Sequence, residues 1–380
     1  MLRLRSCVFA QVLSSPSVSP LHRLLSAAAP AISPNPSFAV EEYLVSTCGL
    51  TRPQALKASA KLSHLKSPAN ADAVLPFLAG LGLSGADVAA VVARDPRFLC
   101  ASVERTLASV VVGLSGLGLS RSDIARLASL AVRKFRQKSV VSKLQYYLRV
   151  FGSSENLLRV MKFSNILSCN LERVVKPNLA LLQGCGLGDC DIAKLCISKP
   201  RLLTNNPKHV QAIVTCAQNI GVPRGSRMFK HALHAVAIFR EEEIAARMEY
   251  LRNTFSWTDA EVAIAVPKAP TLLSRSKESL HRRSEFLISE VGLEPTYIAH
   301  RPVMLTYSLE GRLRPRYYAV KFLKDNGLLK GGPSYSTVFN ETDKVFREKY
   351  ICPHKEAVPH LQEDYDAACK GEVPTNFRFT

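Results

Sequence analysis

The sequence holds a single tryptophan in 380 residues, and aromatic residues make up only 7% of it. Long hydrophobic runs are missing too. The uncharged, apolar-rich stretch from Leu107 to Leu119 covers 13 residues, short of the ~20 that a membrane-spanning helix needs. This argues against a helical membrane protein. None of the ten cysteines forms a Cys-x-x-Cys pair, which argues against a zinc ribbon and a thioredoxin-type motif. Cys185, Cys190 and Cys196 stand five and six apart, which is not a zinc-knuckle spacing. Ten thiols in a chain of this length are too few for a disulfide scaffold, so reduced and mostly buried cysteines are expected.

Motifs of catalysis are scarce as well. There is no Gly-x-Ser-x-Gly, no phosphate loop and no His-Glu-x-x-His. Gly80-x-Gly82-x-x-Gly85 has the form of a dinucleotide fingerprint, with Glu104 19 residues beyond it. That motif must follow a strand, and Pro76 interrupts the segment before it. His231 and His234 lack a third ligand nearby, and Cys352 and His354 are similarly isolated. No catalytic residue, cofactor or metal is expected, and an enzyme is the weakest class.

Acidic residues are absent from residues 1–40, which carry Arg3, Arg5 and Arg23 and are dense in Ser and Pro from Ser14 to Ser37. This composition predicts an organellar transit peptide over 1–40, for the mitochondrion first and the chloroplast as the alternative.

What the chain does have is a repeat. Gly82-Leu83, Gly118-Leu119, Gly152-Ser153, Gly186-Leu187, Gly221-Val222, Gly292-Leu293 and Gly327-Leu328 recur at spacings of 36, 34, 34, 35, 71 and 35. The 71 is two periods, and its empty midpoint falls at Ser256-Trp257. A second anchor runs in phase: Asp95-Pro96-Arg97-Phe98-Leu99, Lys199-Pro200-Arg201-Leu202-Leu203, Ala269-Pro270-Thr271-Leu272-Leu273 and Arg301-Pro302-Val303-Met304-Leu305. Each unit reads as two helices. The first opens on a capping-box pattern, as at Ser84 with Asp87, Ser120 with Asp123 and Thr258 with Glu261. Proline ends it, because it lacks an N–H and disfavours a helical residue before it. In the last unit Leu309, Leu313, Tyr317, Val320 and Leu323 give the second helix one apolar face. Such a hairpin cannot bury both faces alone, so its neighbours must stack on it. The expected fold is all-α, a curved right-handed α-solenoid of about seven ~35-residue units. Its expected parts are an N-terminal helical cap over 41–75, the repeat array over 76–330 and a C-terminal cap over 331–380.

The mid-unit Pro with two hydrophobics, then a helix, then Gly-hydrophobic, resembles the mitochondrial transcription termination factor (mTERF) family over residues 76–330. The closing segments Phe346-Arg-Glu-Lys-Tyr350, Cys352-Pro353-His354-Lys355 and Val358-Pro359-His360-Leu361 are similar to the plant members. The resemblance implies a nucleic-acid-binding protein of organelles that acts in transcription termination or regulation. Intron splicing or rRNA maturation on RNA is the alternative.

Charge agrees with a polyanionic partner. The net charge is +19, and residues 131–240 hold +14 of it, with eighteen basic against four acidic residues. A phosphate track is expected there, built from Arg133, Lys134, Arg136, Lys138, Lys143 and Arg149 and continued by Lys199, Arg201 and Lys208. A second group follows the late anchors, with Arg275, Arg312 and Arg316 as its candidates and Glu278, Glu285, Glu290 and Glu310 as possible pairing partners. The residues after the anchor proline are Arg97, Arg201, Thr271 and Val303, which is too irregular for a base-per-repeat code. The expected partner is nucleic acid, duplex DNA ahead of RNA, bound by a monomer without a membrane. A protein-binding scaffold is the rival of another class.

Overall fold

The computed structural model describes residues 38–329 and 331–372, so the expected transit segment lies outside it except for residues 38–40. All regular secondary structure among the described residues is helical. None of these helices is long and apolar enough to cross a membrane.

Seven units follow one another. Their first helices are Gly85–Arg94, Arg121–Leu130, Ser154–Phe163, Asp189–Ser198, Phe229–Val236, Asp259–Lys268 and Pro295–His300, numbered here as units 1 to 7. Their second helices are Ser109–Gly116, Ser139–Phe151, Lys176–Gly184, Pro207–Asn219, Glu241–Phe255, Lys277–Ser284 and Arg314–Asp325. The capping pairs work as the spacing suggests at Ser84 with Asp87 and at Thr258 with Glu261, where each side chain meets the other residue's N–H. Ser120 caps the Asp123 N–H at 3.1 Å. The Asp123 carboxylate, however, turns to the Ser154 hydroxyl at 2.9 Å in the next unit.

The glycine series has a conformational cause. All seven anchor glycines have φ between +68° and +99°, the left-handed region that ends a helix cheaply only without a Cβ. At the empty midpoint Ser256 takes φ +53° and is the sole non-glycine with positive φ among the described residues. Gly186 has a second reason: a Cβ there would lie 2.8 Å from the Gly225 Cα.

Units 1 to 4, 6 and 7 have a third piece that the two-helix reading left out. The anchor proline starts a short turn of helix between the two longer ones, as in Pro96–Cys100, Pro270–Ser274 and Pro302–Thr306. Its hydrophobic pair is core: Phe98 with Leu99, Leu202 with Leu203, Leu272 with Leu273, and Met304 with Leu305 are buried. A turn this short leaves its carbonyls without helical partners. A side chain from the second helix of the preceding unit supplies the donors. Lys143 Nζ donates to the Leu167 and Cys169 carbonyls at 2.8 and 3.0 Å. Asn178 Nδ2 donates to those of Leu203 and Asn205 at 3.1 and 2.8 Å. Arg247 donates to Leu273 at 2.8 Å, and Arg283 to Tyr307 at 2.8 Å.

The ends follow the same scheme. Gly49 has φ +70° and Thr51 starts the helix Arg52–Ser59. Asn70, on the helix Ala69–Gly80, donates to the carbonyls of Leu99 and Ala101 in the first turn at 2.7 and 3.1 Å. The segment expected to be a plain cap thus contains a unit-like pair. After unit 7, the carbonyls at the end of Tyr335–Asn340 receive Arg312 and Arg316. The helix Leu361–Lys370 then packs on Arg314–Asp325.

Candidate nucleic-acid interface

The middle turns of units 1, 2 and 3 line an open groove of about 960 Å³. Beneath the middle turns of units 1 and 2, in the core, the Phe98 and Phe135 rings stack at 6.2 Å between centroids. Seven basic side chains line the groove: Lys61, Arg94, Arg97, Arg133, Lys134, Arg136 and Lys162, against one carboxylate, Asp95. Like charges gather here because the helices that carry them end at one edge. Arg94 and Lys162 close first helices, while Arg97 and Arg133 stand in the short turns that follow them. Arg97, Arg133 and Lys162 are exposed, and their side chains make no ion pair or hydrogen bond with another described residue. Seven cations around one acid in a walled groove produce a positive potential that draws phosphate.

The cations differ in how free they are. Arg136 donates from Nε and Nη2 to Asp95 Oδ2 at 3.1 and 2.7 Å. Asp95 is buried, and without this pair its charge would be uncompensated. Arg94 donates to the Ser129 carbonyl at 2.5 Å. Burial pushes the Cys100 thiol up in pKa, while Arg136 and Arg97 pull it the other way, which puts both guanidinium groups near it. Lys143 is held below the usual lysine pKa, first by burial and then by Lys134.

The twelve residues expected from the sequence separate into three groups. Arg133, Lys134 and Arg136 line the groove. Lys138 is exposed just beyond it, and Lys199 and Arg201 stand at the matching turn of unit 4. Lys208 is exposed on the following helix, and Arg149 lines a separate cleft with Tyr146, Gln183 and Asp189. Lys143, Arg275, Arg312 and Arg316 are spent on carbonyls of the next unit. Arg275 bonds the Thr306 carbonyl, and Arg312 bonds that of Phe339 at 2.9 Å. Arg316 is 1% exposed and donates to Val338 and Glu341 carbonyls at 2.8 and 2.7 Å. For Lys143, Arg312 and Arg316 the cause is that a cation on an inward helix face has the spacing of one on a wet face; Arg275 instead follows the short turn Pro270–Ser274 in extended backbone. Glu310 does pair with Arg282 and with Arg314, the latter at 3.3 Å.

Lys61, Arg94, Arg97, Lys162 and Phe163 were missed. Lys61, Arg94 and Arg97 belong to a stretch, residues 41–130, with a net charge of only +2, so a count along the chain hides them. For Lys61 and Arg97 the phase shared with Arg133 and Arg201, at spacings of 36, 36 and 68, was the available signal. The other motifs fall away from the groove. Gly82 lies between two helices and Gly85 opens the second of them, so the motif follows a helix rather than a strand. His231 and His234 have their pKa values lowered first by burial. No third His, Cys, Asp or Glu joins either of them as a ligand set among the described residues.

Comparison with known proteins agrees with the repeat. The mTERF family profile matches residues 37–347. The chain is 22% identical over 262 residues to transcription termination factor MTERF8, chloroplastic, of Arabidopsis thaliana, covering 68% of this chain and 51% of that protein. It is 22% identical over 304 residues to transcription termination factor MTEF18, mitochondrial, of the same plant, covering 77% and 50%. The chain spans about half the length of the curated relatives it matches.

Proposed function

The chain belongs to the mTERF family, and on that premise we propose that it regulates organellar gene expression by holding nucleic acid in the groove over units 1 to 3. The observation that carries this reading is the ring of seven basic side chains around a single carboxylate. Arg97, Arg133, Lys134 and Lys162 take phosphates, while Arg136 and Asp95 keep the turns of units 1 and 2 in register. Lys138, Lys199, Arg201 and Lys208 extend the track toward unit 4. The chain acts as a monomer in the mitochondrion, with the chloroplast as the alternative address, in keeping with the names of its relatives. Duplex DNA is the first ligand and transcription termination or its regulation the output. A second reading, an RNA-binding factor for splicing or rRNA maturation, is favoured by an exposed aromatic ring in the groove, Phe163.

A salt titration tests the groove. Each lost phosphate contact removes roughly 0.9 from the slope of log affinity against log salt on duplex DNA, and about 0.7 on a single strand. Replacing Arg97, Arg133, Lys134 and Lys162 together by Gln should weaken binding and flatten the duplex slope by up to about three to four units. The melting temperature should stay close to that of the parent, since exposed charges contribute little to stability. An unchanged slope in a folded variant would remove the groove from the interface.

A further inference from the structure

We propose that the chain carries a second, protein-binding surface: a groove along the first helix of unit 2 that takes an acidic amphipathic helix of a partner protein. It adjoins the basic groove at one end but runs over a different face and serves a different class of partner.

This groove follows the helix Arg121–Leu130 and encloses about 650 Å³. Arg121, Ser122, Ala125, Arg126, Ser129 and Leu130 line it, a spacing that gathers them on one side of the helix. The core residues of that helix are Ile124, Leu127 and Ala128, which at 100° per residue lie on the opposite side. Stacking therefore leaves the lining face uncovered. Leu81 and Leu83, just before the first helix of unit 1, close one end. Lys162, in the last turn of the first helix of unit 3, closes the other.

The floor is aliphatic, formed by Leu81, Leu83, Ala125 and Leu130, and the rim is cationic. Arg121 and Lys162 are exposed and make no ion pair with another described residue. Arg126, also exposed, approaches Asp123 only to 3.7 Å. The one carboxylate in the lining, Asp87, is committed to its helix cap, accepting from the Ser84 hydroxyl and N–H at 2.6 and 3.1 Å. Phosphates would answer the rim and leave the floor wet. A helix with aliphatic residues at i, i+3 or i+4 and i+7, and acids beside them, answers both. Its length fits as well, since Arg121 to Leu130 spans roughly 14 Å at ~1.5 Å per residue, about two and a half turns. Charge excludes the ends of this chain as occupants. Residues 1–37 hold three arginines and no acid, and residues 373–380 hold Arg378 and no acid, so neither complements a cationic rim. Leu130 and Lys162 also line the basic groove, so a partner seated here abuts nucleic acid held there.

The test uses the full chain and two synthetic three-turn helical peptides of the same leucine spacing, one with Glu and one with Lys on the flanks, followed by fluorescence anisotropy. The glutamate peptide should bind and the lysine peptide should not. Arg121→Glu with Arg126→Glu should weaken the glutamate peptide about tenfold or more, because it sets like charges against each other. The same variant should gain affinity for the lysine peptide, an exchange that damage to the fold cannot produce. Serine in place of the peptide leucines should abolish binding. Both arginines lie outside the basic groove, so the salt slope of the variant on duplex DNA should equal that of the parent. A parent that ignores the glutamate peptide, a double variant that binds it as the parent does, or binding that survives the serine exchange would each overturn the proposal. Two further results would reassign the face and overturn it equally. A duplex slope flattened by up to about two units would give the arginines to the phosphate track. A concentration-dependent dimer of the parent in sedimentation, lost in the variant, would give the groove to a second copy of this chain.

Discussion

Asn178 is fully buried, and both of its amide hydrogens are used on carbonyls of the next unit. Removing the amide leaves one buried acceptor, on Leu203, and one half-buried acceptor, on Asn205, without their donor. Each unsatisfied group costs about 1–3 kcal/mol. Asn178→Ala should therefore destabilise the protein by about 2–4 kcal/mol and lower its melting temperature by roughly 3–6 °C, with helicity at 20 °C retained. An unchanged melting temperature would mean that this joint does not depend on the amide. The same accounting explains why individual residues were the least legible level. Arg312 and Arg316 do share one side of their helix, as their spacing of four implies. That side faces the carbonyls at the end of Tyr335–Asn340, and a guanidinium serves those as well as it serves a phosphate. Charge identity thus does not tell a buried donor from a wet one. Position within the repeat does: Lys143, Asn178, Arg247 and Arg283 all sit on second helices one unit ahead of the carbonyls they meet.

Helix ends were more legible, because a left-handed residue is a backbone requirement that glycine answers visibly in a sequence. Where the series skips a glycine, the conformation persists without it. Ser256 ends Glu241–Phe255 at φ +53° and ψ +37°, its N–H on the Arg252 carbonyl. A side chain in that conformation costs roughly 1–2 kcal/mol, part of which the unfolded-chain entropy of glycine would offset. Ser256→Gly should stabilise the protein by about 0.5–1 kcal/mol, read as a small rise in the midpoint of a urea melt at constant m-value. A lowered midpoint would show that the Ser256 side chain makes a contact worth more than the strain. The short middle turns, by contrast, left no such mark. A five-residue turn such as Pro96–Cys100 is too brief for a 3.6-residue period to register, so its proline read as the end of one helix rather than the start of another element.

Across the whole molecule, stacking turns one position per unit into a row along one edge. The residue after the anchor proline is Arg97 in unit 1, Arg201 in unit 4, Thr271 in unit 6 and Val303 in unit 7. The row is cationic at its start and uncharged at its end, and residues 241–300 carry a net charge of −3. The uncharged half is nonetheless accessible, since Val303 is 43% exposed. Helices pack 8–10 Å apart, so the six steps from unit 1 to unit 7 span roughly 50–60 Å. A 30-base-pair duplex, about 100 Å long at ~3.4 Å per base pair, reaches beyond both ends, whereas an 8-base-pair one covers only about half of the row. If phosphates run along this edge, Thr271→Lys with Val303→Lys should add contacts on the long ligand alone. The slope of log affinity against log salt should steepen there by up to about two units, at roughly 0.9 per contact, and stay put on the short duplex. The same slope on both ligands, in a variant whose melting temperature matches the parent, would mean that the nucleic acid leaves the solenoid before unit 6. Binding would then depend on the groove of units 1 to 3 and its extension to Arg201.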